Sequence, residues 1–184
     1  MPAASRSLAA FALAAVTMMI LLVSAPALGK EKMVGPFYNP HTKSYFAYVD
    51  LNIMGGTSWG GVQKHALRKT YHGIPGRLAV VKDRKTHDWL REKFGDVIDK
   101  ETWIGLRYFC GARKLMWVDG TIMDRSPPGV WHPQWHRTWI MCGRVRMEYM
   151  PVYYVGGGLQ MVWQASGIDK YQISYLVEFP TGKP

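Results

Sequence analysis

Apolar residues change their spacing twice along this chain, and the changes divide it into elements. Residues 45–51 alternate and run apolar in the manner of a first strand. Ser58 then stands as an N-cap ahead of Trp59, Val62 and Ala66, which share one stripe of a helix that carries Gly60-Gly61 in its first turn and takes Gly73 as its stop. Residues 78–81 read as a short buried strand. Asp83 is positioned to cap a second helix that runs to Phe94, is closed by Gly95, and turns Trp89, Leu90 and Phe94 inward.

Beyond Gly95 the helical spacing gives way to short apolar runs at 103–106, 115–119, 150–155, 159–163 and 173–179. Two helices followed by a series of strands predict an α+β domain. Gly156-Gly157-Gly158 between two of these runs predicts an antiparallel pair joined by a loop that accepts positive φ. No internal repeat is present. Residues 122–146 carry Pro127, Pro128, Pro133 and three Trp with little periodicity, and read as a long loop excursion; loops of that length in a compact domain are uncommon and often functional.

The N-terminal residues place the chain in a compartment. Arg6 precedes an almost continuously apolar stretch at 8–23, and Ser24-Ala25-Pro26-Ala27-Leu28-Gly29 follows, the layout of a secretory signal peptide over 1–29 cleaved after Ala27 or Gly29. Those sixteen apolar residues rise only about 24 Å as a helix, against the roughly 30 Å of hydrocarbon a span must cross. The expectation is a secreted or periplasmic protein with no membrane span after cleavage, an extended lead-in over 30–44, and one domain over 45–184.

An oxidising compartment favours pairing of Cys110 with Cys142, which closes a loop around the Trp-rich excursion. Two unpaired thiols are the alternative. The full chain of 184 residues carries 23 basic and 13 acidic residues, net +10; removal of Arg6 leaves 22 against 13, or +9. Much of the excess lies between Lys64 and Lys93, where nine basic residues face Asp83, Asp88 and Glu92. Outside the cytoplasm that charge favours anionic polysaccharide, envelope phosphate or an acidic protein as partner over nucleic acid, and no nucleic acid is expected; a solvated helix face is the plainer alternative.

Five short motifs occur in order: Ser58-Trp59, Gly76-Arg77-Leu78-Ala79, Trp103-Ile104-Gly105-Leu106, Trp117-Val118-Asp119-Gly120 and the closing Tyr175-Leu176-Val177-Glu178-Phe179. Together they resemble the C-type lectin-like domain across about residues 45–180. The resemblance implies two helices packed on a curled antiparallel sheet with a long loop excursion. The Trp-Ile-Gly-Leu segment has a packing role: Gly105 lets a neighbouring backbone approach, Trp103 and Leu106 fill the core beneath the sheet, and Ile104 takes the opposite face.

Calcium-dependent members of that family use a Glu-Pro-Asn or Gln-Pro-Asp loop and a Trp-Asn-Asp segment. Neither loop occurs here, Trp163-Gln164-Ala165 stands at the Trp-Asn-Asp position, and no Asn follows Asn52. A hard cation needs six to eight oxygen ligands, so no primary calcium site and no cofactor are expected. Where the family's first helix usually carries Cys this chain has Leu67 or a neighbour, and neither cysteine matches the family's late pair.

Within the excursion Trp131, Trp135 and Trp139 recur every fourth residue, as do His132 and His136. Exposed, the indoles stack on sugar rings or anchor a protein; buried, they fasten the loop to the domain. The two histidines have the spacing of zinc ligands on a helix, but Pro133-Gln134-Trp135 supplies no base between them, Pro133 disfavours a regular helix, and there is no clear third ligand, although Asp124 could fold back. No strained nucleophile turn or paired carboxylates are present, so the protein is read as a binding module and not an enzyme.

The leading expectation is therefore a secreted or periplasmic module that binds a glycan or an extracytoplasmic protein through Trp131, His132, Trp135, His136 and Trp139. One alternative is an assembly subunit docking its cationic helices on an acidic envelope partner. The other is a metal-dependent hydrolase using His132 and His136.

Overall fold

The computed structural model describes residues 31–133, 142 and 148–184. The proposed signal peptide lies outside them, as do Trp135, His136 and Trp139. Among the described residues two helices flank a nine-stranded sheet. Strand β1 (Lys32–Asn39) pairs antiparallel with β2 (Ser44–Asp50), and β2 pairs with the closing strand β11 (Ser174–Phe179), so the two ends of the domain meet across β2. No described helix is long and apolar enough to cross a membrane.

Helix α1 (Trp59–Leu67) begins where the sequence predicts, with Ser58 Oγ accepting from Gly61 N at 3.2 Å. It ends at Leu67, well before Gly73. The residues between form a hairpin of β3 (Thr70–Tyr71) and β4 (Ile74–Pro75), whose two-residue turn holds His72 at φ 50 and Gly73 at φ 75, the twin positive values of a type I′ turn. Strand β5 (Arg77–Leu78) is shorter than the predicted 78–81 run, although Ala79, Val80 and Val81 are buried.

Helix α2 (Arg84–Phe94) is capped by Asp83, whose Oδ1 accepts from Thr86 N at 2.8 Å. Its inner face is Thr86, His87, Leu90 and Phe94. Trp89 is half-buried at the flank, packed on Phe46 and Phe94 with ring centres 5.7 and 6.2 Å away. The helical period explains the difference, because 87, 90 and 94 fall on one stripe and 89 falls beside it.

Strand β6 (Thr102–Phe109) lies at the centre of the fold. It pairs antiparallel with β7 (Lys114–Trp117) and β9 (Tyr149–Val155), and parallel with β11 through Ser174↔Thr102 and Tyr175↔Trp103. The sheet is thus mixed, where wholly antiparallel pairing was expected; the parallel pair is possible because the long connection between β6 and β11 acts as a crossover. β8 (Ile122–Met123) folds back on β7. β9 pairs antiparallel with β10 (Val162–Ala165) as the triple glycine predicts, with a 3₁₀ turn at Gly158–Gln160 ahead of the second strand.

Both faces of the sheet are covered. α1 places Trp59, Val62 and Ala66 against Ala47, Val49, Trp103 and Val177, while α2 places Leu90 and Phe94 against Phe46, Tyr48, Ile104 and Leu176. Leu106 joins Ile104 on the α2 side, with Trp103 alone on the other; in a strand, residues two apart share a face and residues three apart do not. Gly105 N donates to Ala79 O at 2.9 Å and Gly105 O accepts from Val118 N at 2.8 Å. A Cβ at Gly105 would lie 2.8 Å from Leu78 O and from Val118 Cγ2, so the close approach of β5 to β6 requires glycine.

Candidate ligand-recognition site

The long excursion leaves the sheet after β8, beyond the Trp117–Gly120 turn, and both turn and excursion are fastened at several points. Asp119 Oδ1 accepts from Thr121 N at 3.0 Å and Thr121 Oγ1 at 2.6 Å, and Lys82 Nζ donates to Asp119 Oδ2 at 2.9 Å. Partial burial pushes the Asp119 carboxyl up, but the bonds from Lys82 and Thr121 outweigh it and hold the pKa at about 2. Farther along, Arg84 Nη1 donates to Pro128 O at 2.8 Å, tying the excursion to the start of α2.

Val130 is fully buried, and its carbonyl accepts from Trp163 N at 2.6 Å. Trp131 forms a parallel bridge with Trp163 and meets its ring edge-on at 5.4 Å. His132 N donates to Trp163 O at 2.8 Å. The structure therefore brings Trp131 and His132 together on β10, both half-buried, with Trp131 packed against the core. Cys110 and Cys142 form a disulfide that clamps the excursion to the end of β6. Cys110 N donates to Glu148 O at 3.0 Å where the chain returns.

Trp163 and Ala165 are buried in the core, which leaves Gln164 as the one oxygen-bearing side chain of the triplet at the family's metal-binding position. Among the described residues no three His, Cys, Asp or Glu side chains converge.

Sequence reasoning missed a polar cleft of about 350 Å³ between the β1–β2 turn, the start of α2 and the chain's C-terminal residues. Its floor is Glu178, only 3% exposed. Oε1 accepts from Ser44 Oγ at 2.9 Å and Arg77 Nη2 at 3.2 Å; Oε2 accepts from Arg77 Nε and Val80 N, both at 3.1 Å. Arg77 also approaches Asp119 at 3.8 Å, and His41 Nε2 lies 3.0 Å from Asp83 Oδ2 at the rim. With four donors on one carboxylate, Glu178 clasps three segments together and is not arranged as a base. The signal available in sequence was one acid inside an otherwise apolar closing strand.

A second polar group missed from sequence is His87, 1% exposed, with Nδ1 3.0 Å from Tyr154 Oη. Burial, reinforced by the Arg84 charge, lowers its pKa to about 4, so it is a neutral core residue. Burial likewise raises the Tyr154 pKa.

With two helices on a mixed, curled sheet and an excursion anchored beside β10, the chain has a C-type lectin-like fold in a divergent form. Solved structures similar to it include CEL-IV, with a TM-score of 0.53 at 10% identity over 79% of this chain and 92% of that one. The carbohydrate-recognition domain of the mouse scavenger receptor C-type lectin gives 0.51 at 16% identity, covering 72% and 87%. The Ca2+-independent C-type lectin SPL-2 from Saxidomus purpuratus gives 0.51 at 15% identity, covering 75% and 87%. No protein-family model and no curated protein sequence matches the chain.

Proposed function

We propose that this protein is a secreted or periplasmic recognition module that binds a glycan or an extracytoplasmic protein without the family's primary calcium site, through the excursion and the residues at its foot. The observation that carries the proposal is the anchoring of the excursion. Val130, Trp131 and His132 are laid along Trp163 at one end and Cys142 is bonded to Cys110 at the other, so the segment between them is tied to the sheet at both ends. Of the proteins similar in fold, SPL-2 is a Ca2+-independent C-type lectin and SPL-1 is solved as a complex with GlcNAc. Trp131 is an anchor in this arrangement, and Trp135, His136 and Trp139 remain the proposed contact residues between the two fastenings.

A glycan array run with and without chelator, beside a pull-down from envelope extract, tests the proposal. Binding that survives chelator supports it. Loss of every interaction on removing calcium overturns the metal-free reading.

A further inference from the structure

Arg107 stands on β6 and projects on the α1 side of the sheet, where three aromatic rings surround its guanidinium. The guanidinium carbon lies 4.7 Å from the centre of the Trp59 ring, 4.8 Å from Phe109 and 5.1 Å from Tyr149. These rings are fixed. Trp59 is 2% exposed and donates Nε1–H to Ile104 O at 2.7 Å. Phe109 and Tyr149 oppose each other in the β6–β9 ladder with ring centres 5.9 Å apart, and Tyr149 meets Trp59 edge-on at the same distance.

Among the described residues no carboxylate comes within ion-pair distance of the guanidinium. Its Nε is shut off from solvent with no hydrogen-bond partner. Among the described residues neither Nη group makes a hydrogen bond or ion pair, and Glu148 acts on the charge only from a distance. Cation–π contact offsets part of the cost of partial burial. The edge carrying the Nη hydrogens is the part that matches a carboxylate by two parallel N–H···O bonds, and no described residue takes it.

Position adds a second argument. Arg107 is three residues from Cys110, and Tyr149 is the first residue of β9, so the enclosure lies on the two strands that flank the excursion in sequence, on the α1 face of the sheet, while Trp131, Cys110 and Cys142 pack on the α2 face. From Arg107 to Tyr149 the sequence has seven basic and three acidic residues, net +4. Phe109 and Tyr149 are half-buried, and an aromatic ring beside a charged fork is the pairing that suits the C–H face and the carboxylate of an acidic pyranose.

We propose that Arg107, walled by Trp59, Phe109 and Tyr149, is a carboxylate-binding subsite for an acidic glycan of the uronic or sialic type. This assignment rests on the recognition function proposed above and names a ligand class for it.

The test is titration calorimetry of the full mature chain with trigalacturonate, a glucuronate disaccharide and sialyllactose, each beside its carboxyl methyl ester, with an oligo-glutamate peptide as the competing class. At least one acidic sugar is expected to bind, its ester tenfold or more weaker and the peptide weaker still. Arg107→Lys, which keeps the charge and loses the fork, is expected to cost about tenfold, and Arg107→Met, which keeps the packed stem, to abolish binding. The Arg107 Nε–H resonance reports the contact independently of affinity and is expected to shift on adding the sugar.

Equal binding of acid and ester, full binding by a folded Arg107→Met protein, or tighter binding of the peptide overturns the assignment. Neutral-glycan binding that Arg107→Met leaves intact overturns the subsite while leaving the recognition function standing. A wild-type protein that binds nothing on any arm, array or pull-down defeats both.

Discussion

His87 and Asp119 are both held away from their ordinary titration ranges, for opposite physical reasons, and each ties stability to pH. Burial lowers the His87 pKa from 6.5 to about 4, so between those values the unfolded chain binds a proton that the folded chain does not. Stability is complete above about pH 6.5 and is lost as pH falls toward 4, by up to roughly 3 kcal/mol. Urea denaturation at pH 7, 5.5 and 4 is expected to show that loss in the wild type and a shallower one in His87→Gln. Asp119 is held at about 2 by Lys82 and Thr121 against the burial that raises it, so its contribution is present above about pH 4 and disappears as pH falls through 2. Asp119→Asn is expected to cost about 2 kcal/mol at pH 7, with the wild-type and variant stabilities converging near pH 2. Equal stability of the two at pH 7 would show that the turn does not depend on this charge.

At the scale of elements, the Trp-Ile-Gly-Leu strand is where sequence and packing agree most closely. Gly105→Ala puts a Cβ 2.8 Å from Leu78 O, and because that neighbour is backbone the strands themselves must part; a loss of about 1–3 kcal/mol is expected in a melt. Replacing both Cys110 and Cys142 by Ser frees a loop with a separation of 32 residues and is expected to lower stability by about 3–4 kcal/mol. Both helix starts were legible because Ser58 and Asp83 announce them by a local rule, a side-chain oxygen facing an N–H three residues on. β1 reads only as an extended lead-in because Gly35-Pro36 looks like a strand breaker; it is tolerated on an edge strand, where the ladder shifts register between Val34 and Phe37. The parallel pairing of β6 with β11 leaves no local mark, since it depends on how a long connection crosses the sheet. The same holds for the sites. The spacing of Trp131 with Trp135 and Trp139 carries no sign of its partner, and only the fold shows that Trp131 lies in an extended bridge to Trp163. Arg107 drew no attention because its three rings come from α1, β6 and β9, which only the fold brings together.

For the whole molecule the question is where its positive charge acts. Of the nine basic residues between Lys64 and Lys93, six have carboxylate neighbours within 4 Å: Lys69, Arg77, Lys82, Arg84, Arg91 and Lys93. Lys64, Arg68 and Lys85 remain to project charge, which makes the helices a weak basis for docking on an acidic partner and a reasonable source of long-range attraction. Attraction of that kind steers encounter and is screened within about 8–10 Å of solution at physiological salt, while a desolvated contact such as the one assigned to Arg107 governs how long a complex lasts. The two contributions separate kinetically. In surface-plasmon measurements on an acidic glycan, the triple variant Lys64→Gln, Arg68→Gln, Lys85→Gln is expected to slow association by about threefold to tenfold at low salt, with dissociation unchanged and the difference gone near 0.5 M salt. Arg107→Lys is expected to do the reverse, raising the dissociation rate about tenfold at low and high salt alike, because the planar fork and its aromatic walls act by short-range contact. If the triple variant instead speeds dissociation and Arg107→Lys does not, the ligand sits on the helices, and the Arg107 enclosure is not where this protein recognises its partner.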